Sequence, residues 1–164
     1  DAGNLDFYLM LNFRPNEEIV LTVYRGGERI KVNVKLLESP ITIKDAESYN
    51  DDKIGVEVRT LTTDARIELG VEIDSPGVLV YNSVARKSFQ VGLQKTLGAS
   101  FNTSWGLVVV SVNGVELKTA SDFKKQMEAG RARNDKTATL FVRFNKRGEQ
   151  GCINTSFVRV EFAE

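Results

Sequence analysis

Histidine is absent from the sequence. That absence removes Ser-His-Asp triads, Cys-His dyads and His-bearing zinc sites, and with them most hydrolase chemistry. A Ser-Lys pair stays formally open, because a desolvated lysine can act as a base, but no serine here sits on a recognisable nucleophile turn. No catalytic residue, metal site or cofactor is therefore expected within the chain. The single cysteine, Cys152, excludes an internal disulfide and fits either a reducing compartment or a bacterial protein stabilised by its core. No sign of charge predominates: 22 Lys and Arg stand against 22 Asp and Glu, so there is no global field to draw in a polyanion, and nucleic acid is not an expected partner. Long apolar runs are missing as well. A run such as Leu107 to Val110 falls far short of the roughly 20 residues a spanning helix needs, so no membrane insertion of this segment is expected. Asp1 opens the chain without a charged-then-apolar leader; any targeting peptide is expected to have been removed or to lie outside it.

What is present is ordinary for a folded protein. Hydrophobic residues make up 41% and charged residues 27% of the 164, enough apolar content for one full domain plus part of another. Residues 5 to 13 read as a short apolar helix ended by Arg14-Pro15-Asn16. Ile19 to Tyr24 and Arg29 to Leu36 read as strands joined through Gly26-Gly27, where positive φ is cheap, and so as a hairpin. Glu38 to Asp52 turns polar and reads as a linker carrying at most one short strand.

The second unit opens with an alternating strand over Ile54 to Leu61 and a short capped helix over Thr63 to Gly70. Ser75-Pro76-Gly77 turns into a strand over Val78 to Tyr81, followed by a short apolar helix around Ser88 to Leu93 and a polar stretch from Gln94 to Gly106. Leu107 to Val112 has the composition of a buried strand, and Asn113-Gly114 is its turn. Thr119-Ala120-Ser121-Asp122 resembles a capping box with Asp in place of Glu; Phe123 and Met127 share one face of the helix it starts, and Gly130 is positioned to end it. Two strands, Thr139 to Phe144 and Ser156 to Phe162, close the chain. The succession of helix, polar turn, strand, Gly-centred turn and strand occurs at 5 to 36 and again at 119 to 162, as in two copies of one module of which the first is incomplete.

Ile54-Gly55-Val56, Gly77-Val78-Leu79-Val80, the segment from Val84 to Gly92-Leu93, and Val112-Asn113-Gly114-Val115 followed by Thr119 to Met127 together resemble the PDZ domains of HtrA/Deg-type serine proteases. The resemblance implies a mainly β fold with short helices, a PDZ-like partly open barrel or sandwich of the circularly permuted bacterial type. It divides the chain into the C-terminal part of a first PDZ-like module over 1–37, a linker over 38–52 and a second PDZ-like domain over 53–164. It also implies a peptide-carboxylate loop of Lys53, Ile54, Gly55 and Val56, and a groove formed by Glu57, Val58, Ala120, Phe123 and Met127. In such a site the loop's free backbone N–H groups meet the ligand carboxylate and the ligand adds as a strand. Its last side chain would enter a pocket walled by Ile54, Val56, Phe123 and Met127. Lys53 beside Asp51 and Asp52 reads more simply as a solvated surface residue.

The function implied is non-catalytic: capture of unfolded or C-terminal peptides for, or regulation of, a protease domain of the same polypeptide, in a bacterial periplasm or envelope. The competing reading is a structural PDZ whose groove is occluded and which serves assembly of a homo-oligomer; a third is a PDZ portion of another envelope protein, such as an intramembrane or tail-specific protease. Where the family has a tight turn after the Gly-Leu pair, this chain runs from Gln94 through Leu97, Phe101 and Trp105 to Gly106, an insertion whose aromatics either form a partner surface or tuck back onto the domain. Arg131, Arg133, Lys136, Arg143, Lys146 and Arg147 read as a solvated basic face. Asn102 and Asn154 each begin an Asn-Thr-Ser triplet, too short a pattern to weigh.

Overall fold

The computed structural model describes residues 8, 9, 11–37, 41–99, 101, 106–145 and 153–162. The chain separates into two compact units, 1–40 and 41–164.

In the first unit Tyr8, Leu9, Leu11 and Asn12 are helical, and Phe13 donates its N–H to the Leu9 carbonyl at 3.0 Å. The remaining residues of the expected helix, 5–7 and Met10, lie outside the described residues. Asn16, at φ 72°, turns the chain into strand β1 (Glu18–Arg25), which pairs antiparallel with β2 (Glu28–Lys35). Gly26 and Gly27 supply the two successive positive φ angles, 62° and 86°, that a two-residue hairpin turn of this twist demands. The register sets Ile19 opposite Val34, Leu21 opposite Val32 and Val23 opposite Ile30, so every apolar residue of these three pairs falls on one face.

The second unit holds β3 (Ser48–Asp51), β4 (Val56–Thr60), helix α1 (Thr63–Leu69), β5 (Val78–Ser83), helix α2 (Ser88–Leu97), β6 (Leu107–Val112), β7 (Val115–Glu116), helix α3 (Ala120–Ala132), β8 (Thr137–Asn145) and β9 (Ile153–Glu161). Its strands form one antiparallel sheet in the order β3-β4-β5-β6-β8-β9, with β7 attached to β6. The chain is thus mainly β with short helices, and neither sheet closes into a barrel. The stretch read as a linker carrying at most one short strand does carry one, Ser48–Asp51, which joins this sheet, and the compact second unit takes in the residues from Ile41.

All six residues of β6 are buried because both of its faces are covered. Leu107, Val109 and Val112 face the main core with Phe89, Leu93, Phe123 and Met127; Val108 and Val110 face a smaller cluster with Leu61 and Ala65. The helix ends are locally encoded. Thr62 caps α1 through its side chain and Gly70 ends it in the left-handed region; Thr119 and Asp122 form the capping box of α3. Gly130 does not end α3, which runs on to Ala132: a Cβ there would lie 3.1 Å from the ring of Phe162, so this glycine serves a close approach. Gly92 does the same for α2, where a Cβ would lie 2.3 Å from the Arg159 carbonyl oxygen of β9.

Candidate functional site

The sequence places the candidate loop immediately before β4 and the candidate groove helix at α3. Ile54 and Val56 are buried at 0 and 1%, Phe123 and Met127 at 0%, and all four belong to one core cluster. The side chains expected to wall a pocket are therefore brought together, but as closed core. Val58 and Ala120 are also at 0%, and the Ala120 N–H donates to Thr60 Oγ1 at 2.9 Å, tying the start of α3 to the end of β4. Glu57 is half-buried and accepts from Arg59 Nε and Nη2 at 3.0 and 2.8 Å. Lys53 is exposed, as its polar neighbours suggest.

Gly55 has φ 72°, and a Cβ there would meet the Lys87 side chain at 2.5 Å, so both backbone conformation and space require glycine. The loop amides expected to be free for a ligand are engaged within the chain. Gly55 N–H donates to the Asp51 carbonyl at 2.7 Å, and Ile54 N–H points at Asp51 Oδ1 at 3.4 Å. The loop carbonyls are used too: Ile54 accepts from Phe89 N–H and Gly55 from Val84 N–H.

The reason lies in β3, the short strand within the polar segment before the loop. β3 pairs antiparallel along β4 from Ser48 opposite Arg59 to Asp51 opposite Val56, while β5 takes the other edge of β4. β3 also lies along α3. Ser121 Oγ donates to Glu47 Oε1 near the start of the helix, and Thr60 Oγ1 donates to Glu47 Oε2 at 3.1 Å. Midway, the Tyr49 ring sits 6.2 Å from that of Phe123, with Lys124 Nζ 5.9 Å from the Tyr49 centroid. At the far end Arg131 Nη2 donates to Asp51 Oδ1 and Oδ2 at 2.7 and 2.6 Å. Upstream, Arg59 Nη1 donates to the carbonyls of Ile43 and Lys44 at 3.0 and 2.6 Å while its guanidinium lies 3.6 Å from the Tyr81 ring, fixing the approach to β3.

Asp51, at 2% exposure, is the only charged side chain in the buried class among the described residues. A carboxylate so placed needs a cation and hydrogen bonds to offset its lost hydration, and Arg131 supplies both. Burial alone disfavours the Arg131 charge, but the hydrogen bonds and charge of Asp51 outweigh it and raise the arginine pKa. Burial, reinforced by Asp51, likewise pushes the Tyr49 phenol up against the opposing pull of Arg131. Arg131 Nε is buried without a hydrogen-bond partner.

Sequence reading missed this cluster. Asp51 and Arg131 are 80 positions apart with nothing in either neighbourhood to pair them, and in sequence Arg131 reads as part of a solvated basic face. Tyr49, the one strong strand former in Ser48-Tyr49-Asn50-Asp51, was the available signal. Elsewhere, Phe101 tucks back onto the domain, edge-on to Phe144 at 5.2 Å, whereas Trp105, Asn102, Lys146 and Arg147 lie outside the described residues. No helix among the described residues is long and apolar enough to cross a membrane. Neither the models of known protein families nor the curated proteins contain a match to this chain.

Proposed function

We propose that residues 41–164 are a PDZ-type module that recognises extended peptides by strand addition and serves, without catalysis of its own, a serine protease domain of the HtrA/Deg kind. The observation that carries this reading is the seat occupied by β3: an extended segment hydrogen-bonded antiparallel along β4 and resting on α3. A helix beside a sheet edge is the arrangement in which main-chain bonds supply affinity and side-chain contacts on the helix supply selectivity. The lack of histidine supports an adaptor role over a catalytic one. Capture of unfolded or C-terminal peptides in the periplasm or envelope, and delivery to a protease domain of the same polypeptide, complete the proposal.

One feature favours the assembly reading instead. Both edges of β4 are paired and the Gly55 N–H is committed to Asp51, so the seat is filled as it stands. A fluorescent library of extended peptides with free or amidated C-termini, titrated against the chain while its mass is followed by light scattering, separates the two. Saturable peptide binding by a species of unchanged mass supports recognition. Absence of binding together with a concentration-dependent rise in mass supports assembly.

A further inference from the structure

Resting on the reading of this seat as a peptide site, we propose that β3 is a resident pseudo-ligand, and that the seat selects, from another polypeptide, an extended segment with an aromatic side chain two positions ahead of an acidic side chain. The pattern is that of β3 itself, Tyr49 and Asp51. In a strand, positions two apart share a face, so an aromatic ring and a carboxylate at this spacing reach Phe123 and Arg131 together. Among the described residues Arg131 is the only one that donates a side-chain hydrogen bond to the Asp51 carboxylate, which sets the charge of the ligand.

Three observations make β3 displaceable. It is a four-residue edge strand, and its apolar contribution to the main core is one partly buried ring, Tyr49. Most of its hold is main-chain pairing and polar contacts, which a competing strand can reproduce. Asp51 is also an imperfect partner for Arg131. Both of its oxygens are bonded to Nη2, so the guanidinium fork is not matched side by side and Nε is left buried and unpaired. The turn through Asp52 and Lys53, closed by the Gly55 N–H on the Asp51 carbonyl, tethers the carboxylate in this pose. A carboxylate on an untethered strand is free to pair with Nε and Nη2 as a fork, the geometry arginine favours. Against that gain stands the tether, which holds the resident strand at an effective concentration on the order of millimolar. Peptide affinity for the unaltered chain is then reduced in proportion to the fraction of molecules with β3 out.

The test is fluorescence anisotropy of the labelled, amidated peptide Glu-Ser-Tyr-Asn-Asp-Lys with the full chain and with its Tyr49→Ala variant, which weakens the resident strand. The expected result is binding at least tenfold tighter to Tyr49→Ala than to the unaltered chain. Replacing the peptide's Asp by Asn should weaken binding at least tenfold, and Arg131→Met should abolish that discrimination. Equal binding of the Asp and Asn peptides overturns this assignment while leaving a general peptide groove standing. Tighter binding of a peptide ending in a free carboxylate at the Asp position, with Ala there, overturns it in favour of C-terminal recognition. No binding of any peptide overturns the groove reading and this one together. A measurement on the unaltered chain covers the case in which Tyr49→Ala fails to fold: amides of Ser48 to Asp51 should exchange with solvent at least tenfold faster than those of β6. Exchange at the β6 rate means that β3 leaves only on global unfolding, and overturns the proposal.

Discussion

The two hairpins β1–β2 and β8–β9 are built to the same plan and have different fates. Each is an antiparallel pair of eight- or nine-residue strands with an unbroken register and one apolar face. In β8–β9 that face, Ala138, Leu140, Val142, Val158 and Val160, is fully buried at 0%. It packs into the core with β4, β5, β6 and α3, and α2 lies against β9 close enough to require glycine at position 92. In β1–β2 the matching face buries Ile19 but keeps Val23, Ile30 and Val32 at 42, 42 and 41% exposure. A strand pattern, then, specifies pairing and a face to be covered, but not the cover. An isolated two-stranded hairpin is marginal in water, so the stability of the second unit resides in what lies on its sheet.

The largest expected effect comes from emptying the buried face. Leu140→Ala should lower unfolding free energy by about 2–5 kcal/mol, read from the urea midpoint at constant slope. A loss below about 1 kcal/mol would mean that the second hairpin is no better covered than the first. Next is Gly92→Ala. Alanine gains about 1 kcal/mol of helix propensity over glycine, but its methyl meets a backbone oxygen that has no flexible side chain to yield. Overpacking costs about 1–3 kcal/mol, so a net loss is expected, with thermal unfolding as the readout. A gain would show that α2 is not pressed on β9.

Thr119→Ala removes the cap of the helix that packs into the same core and should cost about 1 kcal/mol. The capping carboxylate Asp122 accepts from the Lys118 N–H, and from the backbone and hydroxyl of Thr119; these bonds outweigh partial burial and hold its pKa below the ordinary value. Its contribution is therefore present above about pH 4, the unfolded value, and is lost as pH falls through the lower folded value. Asp122→Asn should flatten the stability profile in that acid range, with the larger loss of stability at neutral pH, where the carboxylate is charged, and the smaller in acid, where it is protonated in both states. The smallest effect is expected of Val32→Ala on the open hairpin, within about 0.5–1 kcal/mol, with no change in the unfolding midpoint of the second unit. A loss comparable to that of Leu140→Ala would show that the open face is covered in solution.

Much of this architecture was legible residue by residue. Gly26-Gly27 and Asn113-Gly114 announced turns through positive φ, and the capping box at Thr119 announced α3, because each is settled within a few residues of chain. The run Leu107 to Val112 announced a strand covered on both faces. Gly130 misled for a physical reason: glycine serves both helix ends and close approaches, and only the packing of Phe162 distinguishes them. The site was half legible. Ile54, Gly55, Val56, Phe123 and Met127 do converge, but the amides and pocket expected to be open are closed by a strand that reads as linker.

By itself the sequence determined the strand and helix alternation, the turns and the caps, because these depend on residue type and local conformation. Tertiary structure alone decided that Ser48 to Asp51 lies along β4, that Asp51 meets an arginine 80 residues away, and that one hairpin buries its apolar face while the other, Ile19 apart, leaves much of its own exposed. Edge pairing is made by backbone groups that every residue carries, and a buried ion pair by charges that look solvated until the chain folds around them; neither leaves a periodic mark in the sequence.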